Sequence, residues 1–98
     1  MAPAELEGIL VQYPGVADAA VLGIPYQGED GREVLAPQAL VVMRPGTETA
    51  DDTPQLIQKF VADKVQEHQQ LRGGVKFVEA LPRHVSGKLL RDKLPELL

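Results

Sequence analysis

Val16-Ala17-Asp18-Ala19-Ala20-Val21-Leu22-Gly23-Ile24 decides the fold class. The run is mostly small or β-branched, too short for a stable helix, and fenced by Pro14-Gly15 and Pro25, so it reads as a buried strand. Downstream, Gln38-Ala39-Leu40-Val41-Val42-Met43-Arg44 is a second such run, ending at Pro45-Gly46. The polar, glycine-bearing stretch from Gln27 to Arg32 reads as a loop, and the two runs are expected to pair as antiparallel neighbours.

Working outward, residues 3–13 read as an amphipathic helix. Pro3 suits a first-turn position, Glu5 and Glu7 favour the positive end of the helix dipole, and Leu6, Ile9, Leu10 and Tyr13 recur at helical spacing. After the second strand, Thr47 to Asp52 is a polar connection, and Thr53-Pro54 supplies a cap residue with proline at the first helical position. Leu56, Ile57, Phe60, Val61 and Val65 then mark one face of a helix running to about Gln69.

Gly73-Gly74 separates that helix from Val75-Lys76-Phe77-Val78-Glu79, a half-buried strand with Val75 and Phe77 on one face. Leu90, Leu94 and Leu97 point to a terminal amphipathic helix. Pro95 interrupts it, so two short turns and one straight helix both stay open, since proline in a helix interior costs about 3 kcal/mol. The order α-β-β-α-β-α, with neither an internal repeat nor a low-complexity segment, specifies a small α+β domain whose helices cover a sheet of about three strands.

At 98 residues the chain is one domain. A domain of this size buries roughly two-thirds of the surface of its unfolded chain, enough for a core but not for a deep enclosed pocket. A formal charge of −4 argues against nucleic acid or an anionic membrane as the main partner, because both reward clustered Lys and Arg. The basic residues cluster only locally. Arg83, Lys88, Arg91 and Lys93 fall within eleven positions, so the carboxyl end presents either a positive patch or an ordinary solvated surface.

The absence of cysteine excludes disulfides, thiolate nucleophiles and cysteine metal sites. No apolar run approaches the roughly 18 residues of a spanning helix, and the amino end lacks a basic region followed by an apolar one. No membrane span is expected, and a soluble, unexported protein is. The terminal Glu96-Leu97-Leu98 differs from the Ser-Lys-Leu peroxisomal address and leaves localisation open.

Chemistry points to one place. In Leu81-Pro82-Arg83-His84-Val85-Ser86-Gly87-Lys88-Leu89-Leu90-Arg91, a single lysine sits on a short Ser-Gly turn. The phosphate-loop pattern is rejected, because it needs glycine where Pro82 stands and Ser or Thr where Leu89 stands. No serine occupies a nucleophile elbow, and no pair of carboxylates stands out. His68 and His84 are not spaced as a metal pair; His68 reads as a helix-surface residue and His84 as a loop residue. Lys88 remains, a compact charge on a flexible stem suited to brief neutralisation of an anion, with Gly87 beside it permitting close approach. Moving the loop could carry that charge to a distant anion. On spacing alone, an exposed lysine at a helix start is the alternative.

Several segments together resemble the carboxyl-terminal domain of the adenylate-forming enzymes, which include acyl- and aryl-CoA synthetases, 4-coumarate-CoA ligases, beetle luciferases and peptide-synthetase adenylation domains. Ala2-Pro3-Ala4-Glu5-Leu6-Glu7 is similar to the family's opening helix, Pro14-Gly15-Val16-Ala17-Asp18-Ala19-Ala20-Val21 to its first strand, and Leu81-Pro82-Arg83 through Ser86-Gly87-Lys88 to its signature lysine loop. Leu71-Arg72-Gly73-Gly74-Val75 most resembles the luciferase and 4-coumarate ligase branch.

The resemblance implies a domain of an ATP-dependent acid–thiol ligase. Such an enzyme joins a carboxylic acid to AMP with release of pyrophosphate, then passes the acyl group to a thiol. Lys88 would be the lysine that reaches the active site in the first step, on a loop shaped by Ser86 and Gly87. The small domain would then rotate for thioester formation.

ATP, Mg2+ and CoA are the implied cofactors of the full-length enzyme, none held tightly by this chain, which carries no metal site of its own. The implied partners are the amino-terminal adenylation domain and a thiol from CoA or a carrier protein; oxygen replaces the thiol in luciferase-like relatives. Because Met1 falls where the family's opening helix begins, the ATP- and acid-binding domain and the hinge are expected to lie outside these residues, leaving the chain inactive alone. His84 departs from the family in standing where small hydroxyl residues are common, and Pro95 departs in interrupting the last helix. An interaction module docking through the patch from Arg83 to Lys93 is the competing function.

Overall fold

The computed structural model describes residues 3–28, 30–65 and 70–97. The order is α1 (Pro3–Leu10), β1 (Val16–Gln27), β2 (Glu33–Met43), α2 (Thr53–Ala62), β3 (Val75–Phe77) and a terminal 3₁₀ helix (Arg91–Leu97). The α+β class and the order of elements match the sequence expectation.

β1 and β2 pair antiparallel from Val16↔Met43 to Gln27↔Glu33, with a register shift between Val16 and Asp18. β3 adds parallel to the other side of β2, through Ala39↔Val75, Leu40↔Lys76 and Val41↔Phe77. The sheet is therefore mixed, in the order β1-β2-β3.

Alternation along β1 and β2 divides the core between the two faces of the sheet, because successive side chains in a strand point opposite ways. Ala19, Val21, Ala39 and Val41 meet Leu6 and Leu10 of α1 and Ile57 and Val61 of α2 on one face. Ala20 and Leu40 face the other way and pack against Leu94 of the 3₁₀ helix, with Leu22, Val78, Leu81, Leu89 and Leu97 around them. Tyr13 and Phe60 close the larger cluster edge to face, their ring centroids 5.4 Å apart.

Several boundaries move for physical reasons. α1 ends at Leu10 rather than at residue 13, because the chain tightens into i→i+3 bonds: the Gln12 and Tyr13 amides donate to Ile9 and Leu10 carbonyls at 3.0 Å each. Both strands are longer than expected, since their outer residues pair with each other beyond the apolar runs. Thr53 is not the cap. Asp52 holds that place without a side-chain cap bond, and Thr53 is the first helical residue. Its Oγ1 instead accepts the Ala50 amide at 2.8 Å, fastening the entry turn.

α2 stops at Ala62, and Asp63 and Lys64 form a turn. The expected continuation through residues 66–69, with His68 on its surface, lies outside the described residues. The buried stripe of α2 is Thr53, Ile57 and Val61, one residue every fourth, which leaves Leu56 exposed on the flank. The last element winds as a 3₁₀ helix with Pro95 inside. Leu94 and Leu97 face the second cluster as expected, and Leu89 joins them there in place of Leu90.

Candidate functional site

The lysine loop is a short hairpin braced on every side except its tip. Arg83 and Leu89 form an antiparallel bridge at its base. The Leu90 amide donates to the Pro82 carbonyl at 2.9 Å, and the His84 amide donates to the Lys88 carbonyl at 2.8 Å. At the tip the Gly87 amide donates to the His84 carbonyl at 2.8 Å, a turn that needs the positive φ of 92° that Gly87 adopts.

The His84 ring itself serves as the acceptor inside this turn. The Ser86 amide donates to His84 Nδ1 at 3.2 Å, and Ser86 Oγ lies 3.0 Å from the same atom. An acceptor taking the amide two residues on is what a Ser or Thr hydroxyl supplies in such a turn. Nδ1 must be the unprotonated ring nitrogen for that bond to form.

Two arginines fasten the hairpin to the rest of the domain. Arg83 Nε and Nη2 donate to Asp18 of β1 at 2.9 and 2.6 Å, and Nη1 donates to the Gly87 carbonyl at 2.7 Å. The hydrogen bond to Asp18 holds the Arg83 guanidinium above its usual pKa, so its charge is permanent. Past the hairpin, Arg91 donates bidentately to Glu7 of α1 at 3.0 and 2.9 Å. The same carboxylate accepts the Val21 amide at 2.8 Å, tying α1, β1 and the carboxyl end together.

Of the four basic residues expected to form a patch, Arg83 and Arg91 are thus neutralised within the domain. Lys88 is exposed, and its Nζ has no hydrogen-bond or ion-pair partner among the described residues. Ser86 and Gly87 lie beside it, and Val85 at the tip is 99% exposed. An open groove of about 630 Å³ runs from the hairpin to the 3₁₀ helix, lined by His84, Ser86, Lys88, Arg91 and Asp92 among others. The arrangement offers an uncommitted cation on a fixed backbone beside a solvent-open groove. Among the described residues no group of three or more His, Cys, Asp or Glu could hold a metal ion, and no helix is long and apolar enough to cross a membrane.

The turn that carries Lys88 is a local pattern in the sequence, whereas Asp18 and Glu7, which anchor the arginines on either side of it, are not. Asp18 lies 65 positions from Arg83, and Glu7 lies 84 from Arg91. No spacing rule links residues so far apart.

Residues 5–88 match the family described as the AMP-binding enzyme C-terminal domain. Luciferin 4-monooxygenase of Photinus pyralis is 42% identical over 98 residues, which is 100% of this chain and 16% of that protein. A 4-coumarate--CoA ligase-like protein of Oryza sativa subsp. japonica is 43% identical over 94 residues, 96% of this chain and 16% of that protein. Among solved structures, an anthranilate CoA ligase in complex with anthranoyl-AMP superposes with a TM-score of 0.84 at 28% identity, covering 99% of this chain and 18% of the other. A benzoate CoA ligase from Burkholderia xenovorans superposes with a TM-score of 0.80 at 31% identity, covering 96% and 18%. The chain therefore spans about a sixth of the length of the relatives it matches, and it belongs to the family of AMP-binding enzyme C-terminal domains, the carboxyl-terminal domain of the adenylate-forming superfamily.

Proposed function

We propose that this chain is the mobile lid domain of an ATP-dependent, AMP-forming acyl- or aryl-CoA ligase and that it supplies Lys88 to the adenylation step. The observation that carries the proposal is Lys88 itself, an exposed ammonium without a partner among the described residues, on a hairpin whose backbone is braced. In adenylation a carboxylate attacks an α-phosphate that is also anionic. A cation held between them offsets their repulsion and stabilises charge in the transition state. Thiolysis of the finished acyl-adenylate has no such need, which favours withdrawing Lys88 by rotating the domain before the thiol enters.

The ATP, acid and Mg2+ sites belong to the amino-terminal adenylation domain in this scheme, and CoA or a carrier-protein thiol is the acceptor. This chain's share is to deliver and remove one charge, and alone it should be inactive. Docking as a non-catalytic module would rely on the charged stretch from Arg83 to Lys93, where two of the four charges are already spent on Asp18 and Glu7.

The test is complementation. The chain mixed with a separately made adenylation domain of its own enzyme, ATP, Mg2+ and a carboxylic acid should release pyrophosphate, whereas the chain alone should release none. Pyrophosphate release that is the same with and without the chain would refute the proposal.

A further inference from the structure

We propose that Arg83, held by Asp18, is a positioning residue for Lys88, an inference that rests on the function proposed above. Lys88 is flanked by two peptide groups, and both are pinned. The one before it is held through the Gly87 carbonyl, which accepts Arg83 Nη1 at 2.7 Å. The one after it is held through the Lys88 carbonyl, which accepts the His84 amide at 2.8 Å.

The first pin is the vulnerable one. It relies on a side chain, whereas the second is a backbone bond within the hairpin. It also acts on a glycine at φ 92°, which has no side chain to pack and where even an added Cβ would meet nothing within 4 Å. Without Arg83 the Gly87–Lys88 peptide can rotate and redirect the Lys88 stem. Asp18 completes the device by holding the guanidinium at two points, Nε and Nη2, which leaves Nη1 aimed at the hairpin. A lysine at position 83 could reach Asp18 or the Gly87 carbonyl as a point donor but could not reproduce this fork.

Misplacing a catalytic group by about 1 Å costs on the order of 10²-fold in rate, so a loosened Lys88 should lose a sizeable part of that. The experiment uses the two-domain ligase and measures its half-reactions separately. Arg83→Met should slow adenylation by about 10-fold or more, with KM for ATP and acid little changed and thiolysis of preformed acyl-adenylate retained. Asp18→Asn should give a smaller loss of the same kind, and Arg83→Lys should fall between wild type and Arg83→Met.

Epistasis gives the sharper readout. In a Lys88→Ala background Arg83→Met should slow adenylation no further, because a positioning residue acts only through the group it positions. Equal slowing of both half-reactions, an additive loss in the Lys88→Ala background, or no effect of Arg83→Met would each overturn the inference. If Lys88→Ala itself leaves adenylation unaffected, it is the proposed function that fails.

Discussion

At the scale of the residue, Glu7 carries more than its place on a short amphipathic helix implies. One carboxylate, 14% exposed, accepts the Val21 amide and both terminal nitrogens of Arg91. Removing it strands a buried backbone donor, so Glu7→Ala should lower unfolding free energy by about 2 kcal/mol in urea denaturation. Glu7→Gln keeps an acceptor for Val21 and should cost about half as much. Gly73 shows a different constraint. A Cβ there would lie 2.9 Å from the Pro37 carbonyl oxygen and 3.0 Å from both Gln38 Cβ and Ile24 Cδ1, while the Gly73 amide donates to that same carbonyl at 2.9 Å. The loop cannot retreat without losing the bond. Gly73→Ala should therefore cost about 1–3 kcal/mol, read as a lowered melting temperature.

At the scale of the element, β1 is an edge strand that has been blunted. Asp18 Oδ1 takes the Ala19 amide, Glu7 takes the Val21 amide, and Pro25 has none to offer, so little of the outer edge can template another strand. α2 illustrates how far periodicity can be read. Five apolar residues announce the helix, but only Ile57 and Val61 among them are fully buried, and Leu56 is 48% exposed. Ile57→Ala should cost about 2–5 kcal/mol through the cavity it leaves. Leu56→Ala should stay within about 0.5 kcal/mol, and equal losses from the two in thermal denaturation would contradict this packing. The first two strands, the glycine punctuation and the alternation of Val75 and Phe77 were all legible, because each is a local pattern. The parallel direction of β3 and the 3₁₀ winding around Pro95 were not, because both depend on which surfaces the finished sheet leaves uncovered.

At the scale of the whole molecule, two ion pairs anchor the chain on either side of the hairpin tip to different elements, Arg83 at the hairpin base to β1 and Arg91 just past it to α1. The spacing around Ser86-Gly87-Lys88 points to a loop that carries its lysine by flexing. The braced backbone does not suit that route; under the function proposed above, the hairpin would travel with the domain and Lys88 would reach a distant anion as the whole body turns. Lys88 itself was legible from its own turn, whereas the acids that steady its hairpin come from the first two elements of the chain and leave no local signature. The function proposed above has Lys88 serve acid activation and not thiolysis. Its most direct test is Lys88→Ala in the two-domain ligase, with single-turnover rates taken separately for acyl-adenylate formation and for thiolysis of preformed acyl-adenylate. The account predicts a fall of about 10²–10³ in the first rate with the second within about two-fold of wild type. Equal losses in both, or an unchanged first rate, would contradict it.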